Sequence, residues 1–290
     1  MNRLLQIFLL TGLLCHAGVQ AQKTYYSYQS GDWENPSTWT TDPSGTLLEN
    51  EGLPGSSDTV VILNGRRIFT TASRTVAALH LSAGAVLDLG ATTGHNFGLF
   101  SGSGRLRIGS ASFPAGIPSS FVANGGGTVE YYTSGSFQLP STQQTYNHLI
   151  LNLDNPSSIA WTMTNITING KLEIRKGTFR ICDENMTPVT DNRIIIDIKG
   201  DVVVQSEGRI TVGNSPTNTT NLPTDFGGSP PYTSGNDTMK SGYMPGALVT
   251  RYYDIYHKVY IGGSLINNGI VRFMGSQVTI PNFTTLTQYG

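Results

Sequence analysis

Apolar and polar residues alternate along much of this chain, in short runs separated by glycine. Residues 166–181 read ITINGKLEIRKGTFRI, residues 196–212 read IDIKGDVVVQSEGRITV, and residues 259–273 read VYIGGSLINNGIVRF. Each run has one grammar: a short alternating strand, a glycine, a second alternating strand, a polar turn with another glycine, and a third strand. Alternation of period two predicts strands with one buried face. The equivalent inward positions are Ile168, Ile198 and Ile261, then Leu172, Val202 and Leu265. The equivalent glycines are Gly170, Gly200 and Gly263, then Gly177, Gly208 and Gly269. A partial copy, LHLSAGAVLDL at 79–89, puts Gly84 in the same role. Outside the first 21 residues no long window keeps the spacing of an amphipathic helix.

The first two copies are offset by about 30 residues and the third by about twice that, a period that points to stacked repeats. One unit cannot bury its apolar face alone, whereas stacking buries a continuous core and pairs the backbone between units. The glycines are expected at corners that need an unusual φ. The expectation is therefore an all-β solenoid of the parallel β-helix type, with a β-sandwich as the alternative. Further strands are expected in 59–71, 104–109, 128–135 and 148–153. Residues 213–247, rich in Pro, Gly, Asn and Thr, read as an excursion loop that accounts for the doubled spacing, and 183–192 as a shorter one. The last residues, SQVTIPNFTTLTQYG, start another alternating segment without a polar cap. The expectation is a chain truncated at its C-terminus, with further domains downstream.

The first 21 residues add the compartment. Arg3 precedes the apolar run LLQIFLLTGLLC, and Val19 and Ala21 occupy the small-residue positions before a cut between Ala21 and Gln22. The run is too short to predict a membrane span. This organisation predicts a signal peptide at 1–21, an N-terminal capping segment at 22–58 and repeats at 59–290. The chain is expected to be exported, to the extracellular space or outer cell surface, with the periplasm as the other destination. Of two cysteines, Cys15 leaves with the signal and Cys182 reads as a small buried residue, so a packed core must supply the stability. Charged residues make up 13% and the formal net charge is −1, which lacks the basic footprint of a nucleic-acid binder. No amphipathic or polybasic run suits a membrane surface.

Several segments resemble a known family. The run GDWENPSTWT…LPGSSDTVVILNGRRIFTT resembles the start of secreted and surface right-handed β-helix proteins of the Bacteroidota. It is also similar to the opening of the eight-glycine domain, where a Trp-containing segment leads into a strand matched here by Pro54, Asp58, Val60, Ile62 and Gly65. GGGTVEYYTSGSFQLPSTQQTYNHLILNL resembles a later unit of the same large proteins. The resemblance covers most of residues 28–275. It implies a right-handed β-helix and a surface or secreted setting, but not an activity, because the scaffold carries adhesins, sugar-active enzymes and passive stalks alike. An adhesin-like or stalk module without enzymatic activity is the expectation, and a carbohydrate-binding or polysaccharide-degrading module the alternative.

Candidate chemistry is sparse. The acidic residues of the repeat, Glu173, Asp197, Asp201 and Glu207, occupy no equivalent positions and read as solvated outward groups. Asp183, Glu184 and Asp191 share one loop and are the candidates for calcium, though without the alternating spacing of a calcium loop. The mature histidines, His80, His95, His148 and His257, form no ligand pair, so no metal or cofactor is expected. No nucleophile elbow or phosphate loop is present. Aromatic platforms for glycans are the remaining candidates. Tyr252, Tyr256 and Tyr260 share one parity on a strand. Trp33 and Trp39, two of three tryptophans, stand in SGDWENPSTWT, where they are expected either to bind a ligand or to fold over the first strands as a cap. Glycans or a host or neighbouring cell surface are the expected partners. Thr238, in Asp237-Thr238-Met239, matches a short pattern that resembles the phylum's O-glycosylation site, as does Thr59 after Asp58.

Overall fold

The computed structural model describes residues 22–49, 52–182, 194–212, 257–271 and 276–279. The chain is mostly β, and nearly all its strands pair in parallel. β1 (Thr24–Ser27) and β2 (Gly31–Asp32) precede a 3-10 turn at Pro36–Thr38 and β3 (Trp39–Thr40). Three strand pairs follow: β4 (Thr59–Ile62) with β5 (Arg67–Phe69), β6 (Ala78–Leu81) with β7 (Val86–Asp88), and β8 (Asn96–Gly102) with β9 (Arg105–Ile108). After β10 (Ala115–Ile117) comes a single helical turn, α1 (Ser119–Val122). Next are β11 (Thr128–Tyr131), β12 (Phe137–Gln138), β13 (Thr145–Tyr146), β14 (His148–Asn152), β15 (Ile159–Thr162) and β16 (Ile166–Ile168). The long strands β17 (Leu172–Ile181) and β19 (Val202–Val212) flank β18 (Ile195–Ile198). β20 (His257–Ile261), β21 (Leu265–Asn267), β22 (Ile270–Val271) and β23 (Ser276–Thr279) complete the described part.

These strands form three sheets. The first runs β10-β8-β6-β4-β1-β3, with β3 antiparallel to β1 and every other pair parallel. The second runs β12-β15-β17-β14-β11-β9-β7-β5-β2 and continues from β17 through β19 to β21 and β22. The third runs β13-β16-β18-β20-β23. Successive passes of the chain thus add one strand to one sheet and the next strand to another. The inward positions align across passes: Ile168 pairs with Ile198 and Ile198 with Ile261, while Leu172 pairs with Val202 and Val202 with Leu265. All six are buried except Leu265, which is partly covered. A single apolar cluster runs from Tyr25 to Ile261.

Two features differ from the expectations. Parallel pairing starts at β1 and β2, inside the segment 22–58 expected to be only a cap. In the first half the passes recur at about 20 residues rather than 30, as the pairs Thr59–Ala78 and Ala78–Leu99 show. The longer spacing comes later and from insertions: Ile181 and Val212 are register partners, as are Ile195 and Lys258, so the segments between them leave and rejoin at neighbouring positions. The excursions themselves, 183–192 and 213–247, lie outside the described residues, as do 1–21 and the last eleven.

The repeat glycines serve close approach more than unusual φ. Gly170, Gly200 and Gly263 lack a left-handed φ, whereas Gly84 (+75°) and Gly177 (+92°) have one. The Gly200 N–H donates to the Gly170 carbonyl and the Gly263 N–H to that of Gly200, both at 3.1 Å. A methyl group on Gly200 would stand 2.7 Å from the Gly170 oxygen. Bare backbone is required because one pass lies directly on the next.

α1 sits where the first sheet ends and the third begins. Phe121 stacks on Phe100 with centroids 4.0 Å apart, and Asn169 Nδ2 donates to the Val122 carbonyl at 2.9 Å. Among the described residues no helix is long and apolar enough to cross a membrane.

Candidate functional site

Trp33 and Trp39 are both wholly buried, so neither offers an open face for stacking a sugar. The turn between them explains why. Asn35 caps the Pro36–Thr38 turn through Oδ1, which accepts from the Ser37 N–H at 3.0 Å, and Pro36 supplies the φ of a first helical position. This reverses the chain and brings β3 back antiparallel beside β1. The Trp33 N–H donates to the Phe69 carbonyl at 2.8 Å, and the Trp39 indole N–H donates to the Trp33 carbonyl at 2.8 Å. The indoles meet edge-to-face at 4.8 Å, and Trp33 stacks on Phe97 at 6.5 Å. An aromatic column thus fills the interior beneath the first strands.

Tyr260 is 38% exposed on β20, beside Asp197. Tyr252 and Tyr256 lie outside the described residues, as do Asp183, Glu184, Asp191, Thr238 and Ala21. Gln22 is exposed and its Nε2 donates to Thr59 Oγ1 at 3.1 Å. Thr59 is half-buried in β4, and Asp58 accepts from the backbone N–H groups of Lys23 and Gly55, a structural role. Among the described residues no group of three His, Cys, Asp or Glu side chains is arranged to hold a metal. Cys182 is wholly buried.

The densest polar arrangement lies on the outer face of the second sheet. The register sets Phe69, Asp88, Arg107, Glu130, Ile150 and Glu173 side by side across β5, β7, β9, β11, β14 and β17. A second row holds Arg67, Val86, Arg105, Thr128 and His148. Asp88 accepts from Arg67 at 2.7 Å, from Arg107 at 2.5 Å and from the Tyr132 hydroxyl. Glu130 accepts from Arg105 at 3.2 Å and from Asn152 at 3.3 Å, with Arg107 Nε at 3.5 Å. The Arg107 guanidinium also lies over the Tyr132 ring, 4.3 Å from its centroid. Further along, Glu173 accepts from Lys171 and from Arg175, each at 2.8 Å.

The electrostatics follow from this packing. Burial works to raise the Asp88 carboxyl, but Tyr132, Arg67, the Gly90 amide and Arg107 outweigh it and hold it below its ordinary value. Burial, then the Asp88 carboxylate, pushes Tyr132 up to about 12. Burial likewise opposes ionisation of Glu173, yet Arg175 and Lys171 bring it down to about 2. Burial and the adjacent Lys171 lower His148, favouring the neutral ring. Asp88 and Glu173 are therefore held ionised, and Glu130, like them, lies beneath arginine or lysine side chains. Glu173, expected to be a solvated outward group, points outward but is only 6% exposed.

A smaller cluster lies near the start of the stack. Glu34 Oε1 accepts from Arg74 Nε at 2.7 Å and from Thr70 Oγ1 at 3.0 Å. Burial raises the Glu34 carboxyl, but Asp32, Arg74 and Thr70 bring it to about 2. His95 is buried beside them: Nδ1 accepts from the Arg74 backbone N–H at 3.2 Å, Nε2 lies 2.8 Å from Thr92 Oγ1, and burial lowers its pKa.

Sequence reasoning did not single out Asp88, Arg107 or Glu130. Each occupies an outward position in an alternating strand, and only the register between passes brings them together. No protein-family model matches this chain, and no significant match is found among curated proteins or solved structures.

Proposed function

We propose that this chain is an exported, right-handed parallel β-helix module of a larger surface or secreted protein, adhesin-like or stalk-forming, without enzymatic activity of its own. The observation that carries this reading is the parallel register. Pass after pass adds a strand to the same sheets over one apolar core. A scaffold of that kind grows by repetition and presents long, regular outer faces. The antiparallel pairing usual in a β-sandwich is limited to β1 and β3 among the described strands.

The side chains support a binding or spacer role over catalysis. A glycoside hydrolase needs two carboxyl groups facing a shared gap, one of them free to give or take a proton. Asp88, Glu130 and Glu173 are instead ion-paired under Arg and Lys side chains. Export rests on the N-terminal Arg3, the apolar run and Ala21.

Protease accessibility and fractionation of cells producing the protein test the reading. It predicts the mature chain, starting at Gln22, in the medium or on the outer surface. Assays of purified protein on a polysaccharide panel are expected to show no release of sugars. Retention in the cytoplasm, or turnover of any polysaccharide, would contradict it.

A further inference from the structure

We infer that the outer face of the second sheet is a binding surface for a linear acidic polysaccharide lying along the stack, centred on Arg67, Phe69 and Arg105. This deepens the displayed-module reading and rests on it for the ligand's accessibility.

Each ion cluster on this face is layered. Asp88, Glu130 and Glu173 lie beneath, at 5%, 2% and 6% exposure. The side chains of Arg67, Arg105 and Lys171 remain 58%, 39% and 42% exposed above them. A ligand arriving from solvent meets guanidinium and ammonium groups before carboxylate. Arg67, Arg105 and Arg107 stand over two carboxylates, and Lys171 and Arg175 over one, so each cluster keeps one cation in excess. Asp32, beside Phe69, bounds the face at its β2 end, and Asp201 lies next to Leu172, whose N–H its carbonyl accepts at 2.9 Å. The buried anions also fix the cations in place, so that little ordering remains to be done on binding.

Spacing selects the type of polyanion. Arg67 and Arg105 both flank Val86 in register, two strand spacings apart, which is roughly 10 Å. A polysaccharide with one carboxylate per disaccharide repeats its charge on that scale. A duplex nucleic acid carries a charge about every 3.4 Å per strand, far denser than this row. Phe69 supplies the second element. It is 44% exposed, between Asp32 and Asp88 in the adjacent row, and an open aromatic ring suits the apolar face of a sugar.

The test is binding of the mature chain to hyaluronan, which carries one carboxylate per disaccharide, with dextran as the neutral control and single-stranded DNA as the other polyanion. The expected result is hyaluronan binding that weakens as salt rises, with none to dextran and weaker binding to DNA. Replacing both arginines (Arg67→Gln with Arg105→Gln) is expected to weaken it at least tenfold, and Phe69→Ala severalfold with every charge retained. Arg67→Lys, which keeps the charge over Asp88, is expected to stay within about threefold. No hyaluronan binding by the folded protein, tighter binding to DNA, or unchanged affinity in folded Arg67→Gln/Arg105→Gln protein would overturn the inference. A chain found on the cell surface that binds no hyaluronan would sink this inference alone and leave the displayed-module reading standing.

Discussion

The indole N–H of Trp39 donates to the backbone carbonyl of Trp33 at 2.8 Å, and the two rings meet edge-to-face at 4.8 Å. The pair is wholly buried at the edge of the first sheet, where β3, which carries Trp39, pairs with the outer edge of β1. Trp39→Ala is therefore expected to destabilise the protein by about 3–5 kcal/mol. Trp39→Phe retains most of the packing but leaves the Trp33 carbonyl without its donor, at a cost of about 1–3 kcal/mol. Urea unfolding of the two variants checks the order. Equal stability of wild type and Trp39→Ala would rule out a structural role for this pair.

Gly200 tests the contact between passes. A methyl group there would meet the Gly170 oxygen at 2.7 Å and its carbonyl carbon at 2.9 Å, both backbone atoms with little room to move. Gly200→Ala is expected to cost about 1–3 kcal/mol. Gly55 has an ordinary φ, and its nearest atom, Asp58 Oδ2, is 3.4 Å away, so Gly55→Ala is expected to stay within about 1 kcal/mol of wild type. Thermal melts of both proteins make the comparison.

Arg107 bridges Asp88 and Glu130, and both carboxylates are nearly inaccessible to water. Arg107→Gln leaves them short of a cation and is expected to destabilise by about 3 kcal/mol. Adding Asp88→Asn removes one of the stranded charges, so the double variant is expected to be more stable than the sum of the single effects. A double-mutant cycle by chemical denaturation measures the coupling, and strict additivity would mean that the two do not interact.

Stability is expected to fall in acid in two stages. His95 and His148 are lowered by burial from an ordinary 6.5, so the unfolded chain binds protons first and stability declines as pH drops below about 6.5. Glu34 and Glu173 are held at about 2 against an ordinary 4.5, and Asp88 below its ordinary 3.8. Their contribution is present above pH 4.5 and is lost progressively toward pH 2. Unfolding free energies measured from pH 8 to pH 2 are expected to show both declines, and His95→Gln is expected to flatten the upper one.

The later part of the fold was legible in the sequence because Ile168, Ile198 and Ile261 repeat in equivalent settings, and they prove to be register partners. In the first half the sequence shows a partial copy of the repeat at 79–89 and further strands around it but not their shorter period, since Val60, Leu79 and Phe100 align in space but sit in unlike sequences. The tryptophans could be read either way, and the turn capped by Asn35 decides for burial. The ion-paired face was not legible. Asp88 and Tyr132 are 44 positions apart, and alternation alone marks such residues as solvated. Their partners emerge only once the offset between passes is known.

The most direct measurement of the stacked parallel register is disulfide formation between Asp197→Cys and Tyr260→Cys, adjacent on β18 and β20 although a long insertion separates them in sequence. Neighbouring strands place such Cα atoms within bridging range. The account predicts an Asp197–Tyr260 cross-link under mild oxidation, found by mass spectrometry of the digested protein, and none for Asp197→Cys with Ile266→Cys, which lie on different sheets. Failure of the first pair in folded protein, or equal cross-linking of the second, would contradict it.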